Sequence, residues 1–198
     1  MLKGSPLHGV LQGRGRDGAD GQRRLRIGES RGWSLTQIAA FPTTTTEFQL
    51  RMRQLLGAEL PPRVGQAVTV GPHVLLKTAP EVFWVITRTG EDIAPALQSA
   101  VAPEIGSITA LSHSRTCIWI EGPPAREVLA TAVTLDLHPD FFRPAFFALT
   151  AVHHTPLLIH RTGENRYELY VTRTFAVWTW DWLADAALRF GYEVLVPD

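Results

Sequence analysis

The chain has a single cysteine, Cys117, in 198 residues, so no intrachain disulfide can brace it and a disulfide-stapled scaffold is excluded. It has no excess of either charge, with 19 Lys and Arg against 19 Asp and Glu, and so lacks the basic field that nucleic-acid binding normally uses. It has no stretch near the roughly 18 consecutive apolar residues that cross a bilayer as a helix, and its first residues carry no apolar run of the signal-peptide kind. These absences lead us to expect a cytoplasmic protein with no nucleic-acid and no membrane partner. What the chain does have is 45% hydrophobic and 19% charged residues, the composition of a folded globular protein. Its length allows one large domain or two small fused halves.

The charge is uneven. Lys3, Arg14, Arg16, Arg23, Arg24, Arg26 and Arg31 stand against Asp17, Asp20 and Glu29 in the first 31 residues, which also hold seven glycines. Such a segment buries little apolar surface, and residues 1–24 are expected to form a flexible basic arm anchored by Pro6, Leu7, Val10 and Leu11. Arg14 and Arg16 are its candidate contacts to an acidic partner surface. Gly13, Gly15 and Gly18 spell the dinucleotide-binding glycine pattern, but no apolar strand precedes them and no helix follows, so the match carries no phosphate site.

From Leu25 onward the chain reads as one duplicated α+β domain, 25–198, with halves of roughly 25–110 and 111–198. Strand-like runs at 25–29 and 33–41 lead to an amphipathic helix at 46–56, with hydroxyls at 43–46 able to cap it. Strands at 68–70, 74–78 and 82–87 and a helix at 93–101 follow. The order then returns: strand 116–121, helix 125–132, strands 146–152, 157–160 and 167–172, and a helix over 174–189. Leu56 to Pro61 is answered by Leu135 to Pro139, and Val85-Ile86-Thr87-Arg88 by Tyr170-Val171-Thr172-Arg173. Two βαββα-type halves forming a mixed sheet layer with packed helices is the expected architecture.

No catalytic constellation stands out. His154 and His160 share one face of an extended run while His153 points to the other, and no third ligand lies at short spacing, so no metal is expected. Cys117 and His113 are four residues apart, yet Cys117 sits in an apolar strand where a thiol behaves as a small hydrophobe. In the last helix Phe175, Trp178, Thr179, Trp182, Ala186 and Phe190 form one stripe, leaving Trp180 about 120° from its centre. Trp180 therefore either covers a neighbouring element or anchors an interface. Phe141, Phe142 and Phe146, with Arg143 between them, make a second aromatic cluster in a loop, either folded back as a plug or facing a partner. Trp180, Phe141, Phe142, Arg143, Phe146, Arg14 and Arg16 are thus the candidate partner contacts, with no catalytic, cofactor-binding or metal residue assigned.

The run Ser112-His113-Ser114-Arg115-Thr116-Cys117-Ile118-Trp119-Ile120-Glu121-Gly122-Pro123, with Leu135 to Phe142 and Leu169 to Ala176, resembles the gamma subunits of heterotetrameric sarcosine oxidases. Glu121-Gly122-Pro123 with Ala125 and Leu129 is also similar to the folate-binding domain of aminomethyltransferases. The resemblance implies a non-catalytic structural subunit without its own cofactor. Its implied partners are alpha, beta and delta subunits, with NAD and tetrahydrofolate on alpha and FAD and FMN on beta. The implied reaction of the whole is oxidative demethylation of sarcosine, or a related N-methyl or cyclic amine, to glycine, hydrogen peroxide and a one-carbon unit on tetrahydrofolate. Two other readings compete: a free-standing folate-binding or one-carbon transfer protein, for which Glu91, Asp92 and Glu121 are the candidate pterin carboxylates, and a homomeric scaffold.

Overall fold

A computed structural model of the chain describes residues 4–11 and 15–196. The elements are β1 (Leu25–Ser30), β2 (Ser34–Ala40), α1 (Thr45–Leu56), β3 (Ala67–Val70), β4 (His73–Ala79), β5 (Val82–Thr87), α2 (Ala94–Ala100), β6 (Gly106–Ala110), β7 (Arg115–Glu121), α3 (Ala125–Leu129), β8 (Phe147–Val152), β9 (Thr155–Arg161), β10 (Arg166–Thr172), α4 (Ala176–Ala187) and β11 (Tyr192–Leu195), with 3-10 turns on either side of α4. After β1 the order β-α-β-β-β-α-β occurs twice. The closing strand of each repeat, β6 and β11, is absent from the sequence-based outline. Both are short and half polar, Gly-Ser-Ile-Thr-Ala and Tyr-Glu-Val-Leu, and offer no apolar run to read.

Two compact units result, Gly32–Ser112 and the residues before 32 together with those from 113 onward. The first holds an antiparallel sheet in the order β3-β4-β5-β2-β6. Phe48, Met52 and Leu56 of α1 recur every four residues, which aligns them on one helix face, and they pack with Leu97 of α2 against Ile38, Leu75, Phe83 and Val85 of the sheet. Gly57 ends α1 in the left-handed region at φ 73°, its N–H donating to the Arg53 carbonyl, a conformation glycine adopts without Cβ strain. The expected hydroxyl cap is not made. Thr44 instead donates to the carbonyl of Ile105 at 2.6 Å, tying the helix start to the strand that follows α2.

The second unit has six strands in the order β11-β1-β7-β10-β9-β8. Without β1 this order repeats that of the first sheet. β1 is therefore an insertion, antiparallel to β7 and parallel to β11, and it belongs to the second repeat although its sequence precedes the first. Gly28 makes the insertion possible: a Cβ there would lie 2.7 Å from both the Leu195 carbonyl and the Trp119 ring. One face of the sheet, with Ile118, Ile120, Ile159, Leu169 and Val171, packs on Val128 and Leu129 of α3 and on Ala176, Trp180, Leu183 and Ala187 of α4.

Residues 4–11 of the segment expected as a flexible arm are built into this core, whereas 15–24 lie mostly at the surface. Leu7 and Leu11 are buried in it, the Ser5 hydroxyl donates to the buried Glu29 carboxylate at 2.6 Å, and Arg173 reaches the Gly4 carbonyl. Two leucines one turn apart are enough to bury one side of the segment. The repeated letters at 85–88 and 170–173 fall at the ends of β5 and β10, the same place in each repeat, but their faces differ. Thr87 alternates with Val85 of the helix-covered core, whereas Thr172 follows Val171 of its core and so points from the opposite face.

Candidate functional site

Three surface regions of the six-stranded unit hold the candidate residues, and the structure sorts them by exposure. In the aromatic loop Phe142 is buried, its ring stacked on Tyr167 at a centroid distance of 6.5 Å, while Phe141 is 71% exposed and Phe146 and Arg143 also face solvent. The sorting is enforced by Arg161, a buried side chain on β9. Its guanidinium donates to the Phe142 carbonyl at 2.6 Å, to the Glu164 carbonyl at 2.6 Å and, through Nε, to the Gly163 carbonyl at 3.2 Å, and it lies over the Tyr167 ring. Ala145 takes φ 68° to let its N–H meet the Arg161 carbonyl. The loop is thus a fixed platform that presents Phe141, Arg143 and Phe146, continuous in sequence with the exposed Leu149 of the edge strand β8. Burial raises the Tyr167 phenol above its usual value, opposed by Arg161 and Arg126.

On α4 the structure decides between the two readings of Trp180 in favour of the one in which it covers a neighbouring element. Trp180 is 4% exposed and sits in the core with Ala176, Leu183 and Ala187, so it covers the sheet and is not on the surface. Trp178, 42% exposed, points outward with Phe175 and Val177. Asp185 projects about 20° from Trp178 around the helix at 100° per residue, and a carboxylate in that direction is the sequence signal that marks the outward side. The Trp178 ring meets the His153 ring edge-on at 6.0 Å.

Of the basic candidates, Arg16 is exposed, and its backbone pairs in both directions with Tyr192 of β11 at 2.8 Å. Arg14 lies outside the described residues. Gly18 of the glycine pattern is followed by a turn, not a helix, and a Cβ on it would meet the Phe190 carbonyl carbon at 2.8 Å. That glycine serves close packing and not a phosphate.

The remaining polar groups are engaged structurally. His153 and His154 occupy the turn between β8 and β9, and His160 is buried on β9 across from Glu168 of β10. The Tyr170 hydroxyl donates to the buried Glu168 carboxylate at 2.6 Å, a pair that periodicity alone does not announce because both residues alternate with apolar neighbours. Cys117 is buried between Ser30 and Tyr170 in the ladder. Glu121 is paired with Arg26 at 3.1 Å and Arg166 at 2.9 Å. Asp92 accepts the Ala94 N–H at the start of α2, and the Glu91 side chain is exposed. Among the described residues no three His, Cys, Asp or Glu side chains are grouped as metal ligands would be, and no helix is long and apolar enough to cross a membrane.

Comparison with known proteins matches these features to a family. The model of the sarcosine oxidase, gamma subunit family matches residues 42–189. The sarcosine oxidase subunit gamma of Corynebacterium sp. strain P-1 is 32% identical over 143 residues, covering 72% of this chain and 70% of that one. Among solved structures, heterotetrameric sarcosine oxidase from Corynebacterium sp. U-96, in complex with pyrrole 2-carboxylate, contains a chain that superposes with a TM-score of 0.84 at 26% identity, covering 96% of this chain and 97% of that one. Aminomethyltransferase T of the glycine cleavage system from Bartonella henselae matches with a TM-score of 0.65 at 16% identity over 88% of this chain and 48% of its own, a likeness of fold. On the strength of the family match and the near-complete superposition, this chain belongs to the sarcosine oxidase gamma subunit family.

Proposed function

We propose that this chain is the non-catalytic gamma subunit of a heterotetrameric, sarcosine oxidase-type flavoenzyme. The observation that carries the reading is the superposition of nearly the whole chain on a chain of such a heterotetramer. The geometry supports it, because of the carboxylates named for a pterin Glu121 and Asp92 are occupied in holding strands and a helix start, and Glu91 is exposed. The partners are the alpha, beta and delta subunits, and NAD, tetrahydrofolate, FAD and FMN reside in those partners. The assembled enzyme demethylates sarcosine, or a related N-methyl or cyclic amine, by two-electron oxidation. Oxygen takes the electrons and becomes hydrogen peroxide, and the carbon passes to tetrahydrofolate, leaving glycine. The complex works in the cytoplasm.

Within that complex the chain's task is to bury surface. Phe141, Arg143 and Phe146 on the Arg161-braced loop are one contact region, where a fixed aromatic platform loses little conformational freedom on binding, and Arg16 is a candidate basic contact nearer the N-terminus. The test is to tag this chain, express it with its genomic neighbours, and record subunit masses and the visible spectrum. A yellow assembly with a flavin-bearing partner is the expected result. A colourless single species would overturn the reading, and tetrahydrofolate binding by that species would then favour the free-standing alternative.

A further inference from the structure

The outward face of α4 forms a groove of about 630 Å³ floored by Trp178, Trp182 and Ala186, with Asp181 and Asp185 along it. Among the described residues neither aspartate is ion-paired. Arg189, at the groove's end, is directed to Glu127 at 3.9 Å and stacks on Phe190 at 4.4 Å. This is a locally unfavourable arrangement. Like charges at i and i+4 repel on a helix, and Asp185 lies in the last turn of α4, where the backbone dipole is negative; Arg189, four residues on in the following 3-10 turn, is directed to Glu127. Two tryptophans beside two carboxylates combine the groups that best receive a cation, a ring face and an anionic oxygen. A conflict of this kind inside an otherwise consistent helix marks a functional surface.

We infer that this groove receives a Lys- or Arg-bearing, otherwise apolar segment of a partner subunit. The occupant follows from charge complementarity: the groove has an apolar floor and two carboxylates against one lining cation, Arg189, whose guanidinium is directed to Glu127 and not to either aspartate. The inference rests on the subunit reading above, and it places a second interface on the six-stranded unit besides the aromatic loop.

The experiment uses the co-expressed complex. Asp181→Lys with Asp185→Lys is compared with Glu91→Lys with Glu104→Lys, which makes the same charge change at exposed positions elsewhere, and with the near-isosteric Asp181→Asn, Asp185→Asn pair, which guards against misfolding. Subunit dissociation constants are measured across a salt series. The reversed aspartate pair is expected to weaken assembly by about tenfold or more and to flatten its salt dependence. The asparagine pair should show a smaller loss in the same direction, and the glutamate control none. Carbodiimide coupling of the wild-type complex should join Asp181 or Asp185 to a lysine of a partner subunit. A wild-type complex whose constant and salt slope ignore the aspartate reversal overturns this inference alone, as does coupling of the aspartates to a second copy of this chain. Absence of any wild-type complex overturns the subunit reading and this inference with it.

Discussion

Arg161 shows how much one side chain organises here. A buried guanidinium is tolerated because backbone carbonyls of Phe142, Gly163 and Glu164 accept from it, and removing it leaves the Phe142 carbonyl buried and without that donor. Arg161→Ala should therefore cost about 3 kcal/mol in urea unfolding and release Phe142 from Tyr167, seen as a loss of near-ultraviolet ellipticity. Tyr167 itself links burial to pH. Its phenol titrates above its usual value of 10.0, chiefly because burial disfavours the phenolate. Its proton is thus held more tightly when folded than when unfolded, so its stabilising contribution is complete below about pH 10 and is lost as pH rises through the folded value. Stability measured by denaturant at rising pH should fall above about pH 10, and Tyr167→Phe should make that fall shallower. A wild-type profile flat to the strongly alkaline end would contradict the burial argument.

Elements differ in how readily they can be read from the letters. The paired order of strands and helices was legible because β4, β5, β7, β9 and β10 are dense in branched and aromatic residues, and helix α1 shows a clean four-residue spacing. The facing of α4 was not, because Trp178, Trp180 and Trp182 are equally apolar and hydropathy gives them equal weight. What decides it is the combination of small Ala176 and Ala187 flanking Trp180 on the sheet side with Asp181 and Asp185 on the other. Trp180→Ala should cost about 3 to 5 kcal/mol by leaving a large core cavity, whereas Trp178→Ala should change chain stability by less than about 1 kcal/mol. Equal losses in the two variants would mean that α4 is rotated. The aromatic loop was only half legible for a related reason: Phe141, Phe142 and Phe146 announce a cluster, but which of them turns inward depends on Arg161, a residue distant in sequence.

At the scale of the whole molecule the duplication is topological more than it is written in the sequence, since the matching letters at 85–88 and 170–173 fall on opposite faces. The asymmetry between repeats is the inserted strand β1. A chain lacking residues 1–31 should lose amide protection in 115–121 and 192–195, the two strands β1 joins, while 34–40 and 82–87 keep theirs; hydrogen exchange reads both regions in one experiment. Uniform loss of protection would mean that the repeats do not have separable stabilities.

The position of β1 also has a consequence in time. Of the described strands it is made first, and while β7 can cover one of its edges as soon as 115–121 are made, its other neighbour β11 is the last described strand, so at roughly 5 to 20 residues per second that second edge stays open on the order of ten seconds or longer. The intervening stretch Gly32–Ser112 is contiguous and has its own core, so it can fold during that wait. A nascent chain is therefore most vulnerable to edge-to-edge association at β1, and the earliest of the described strands is the last to gain both its neighbours.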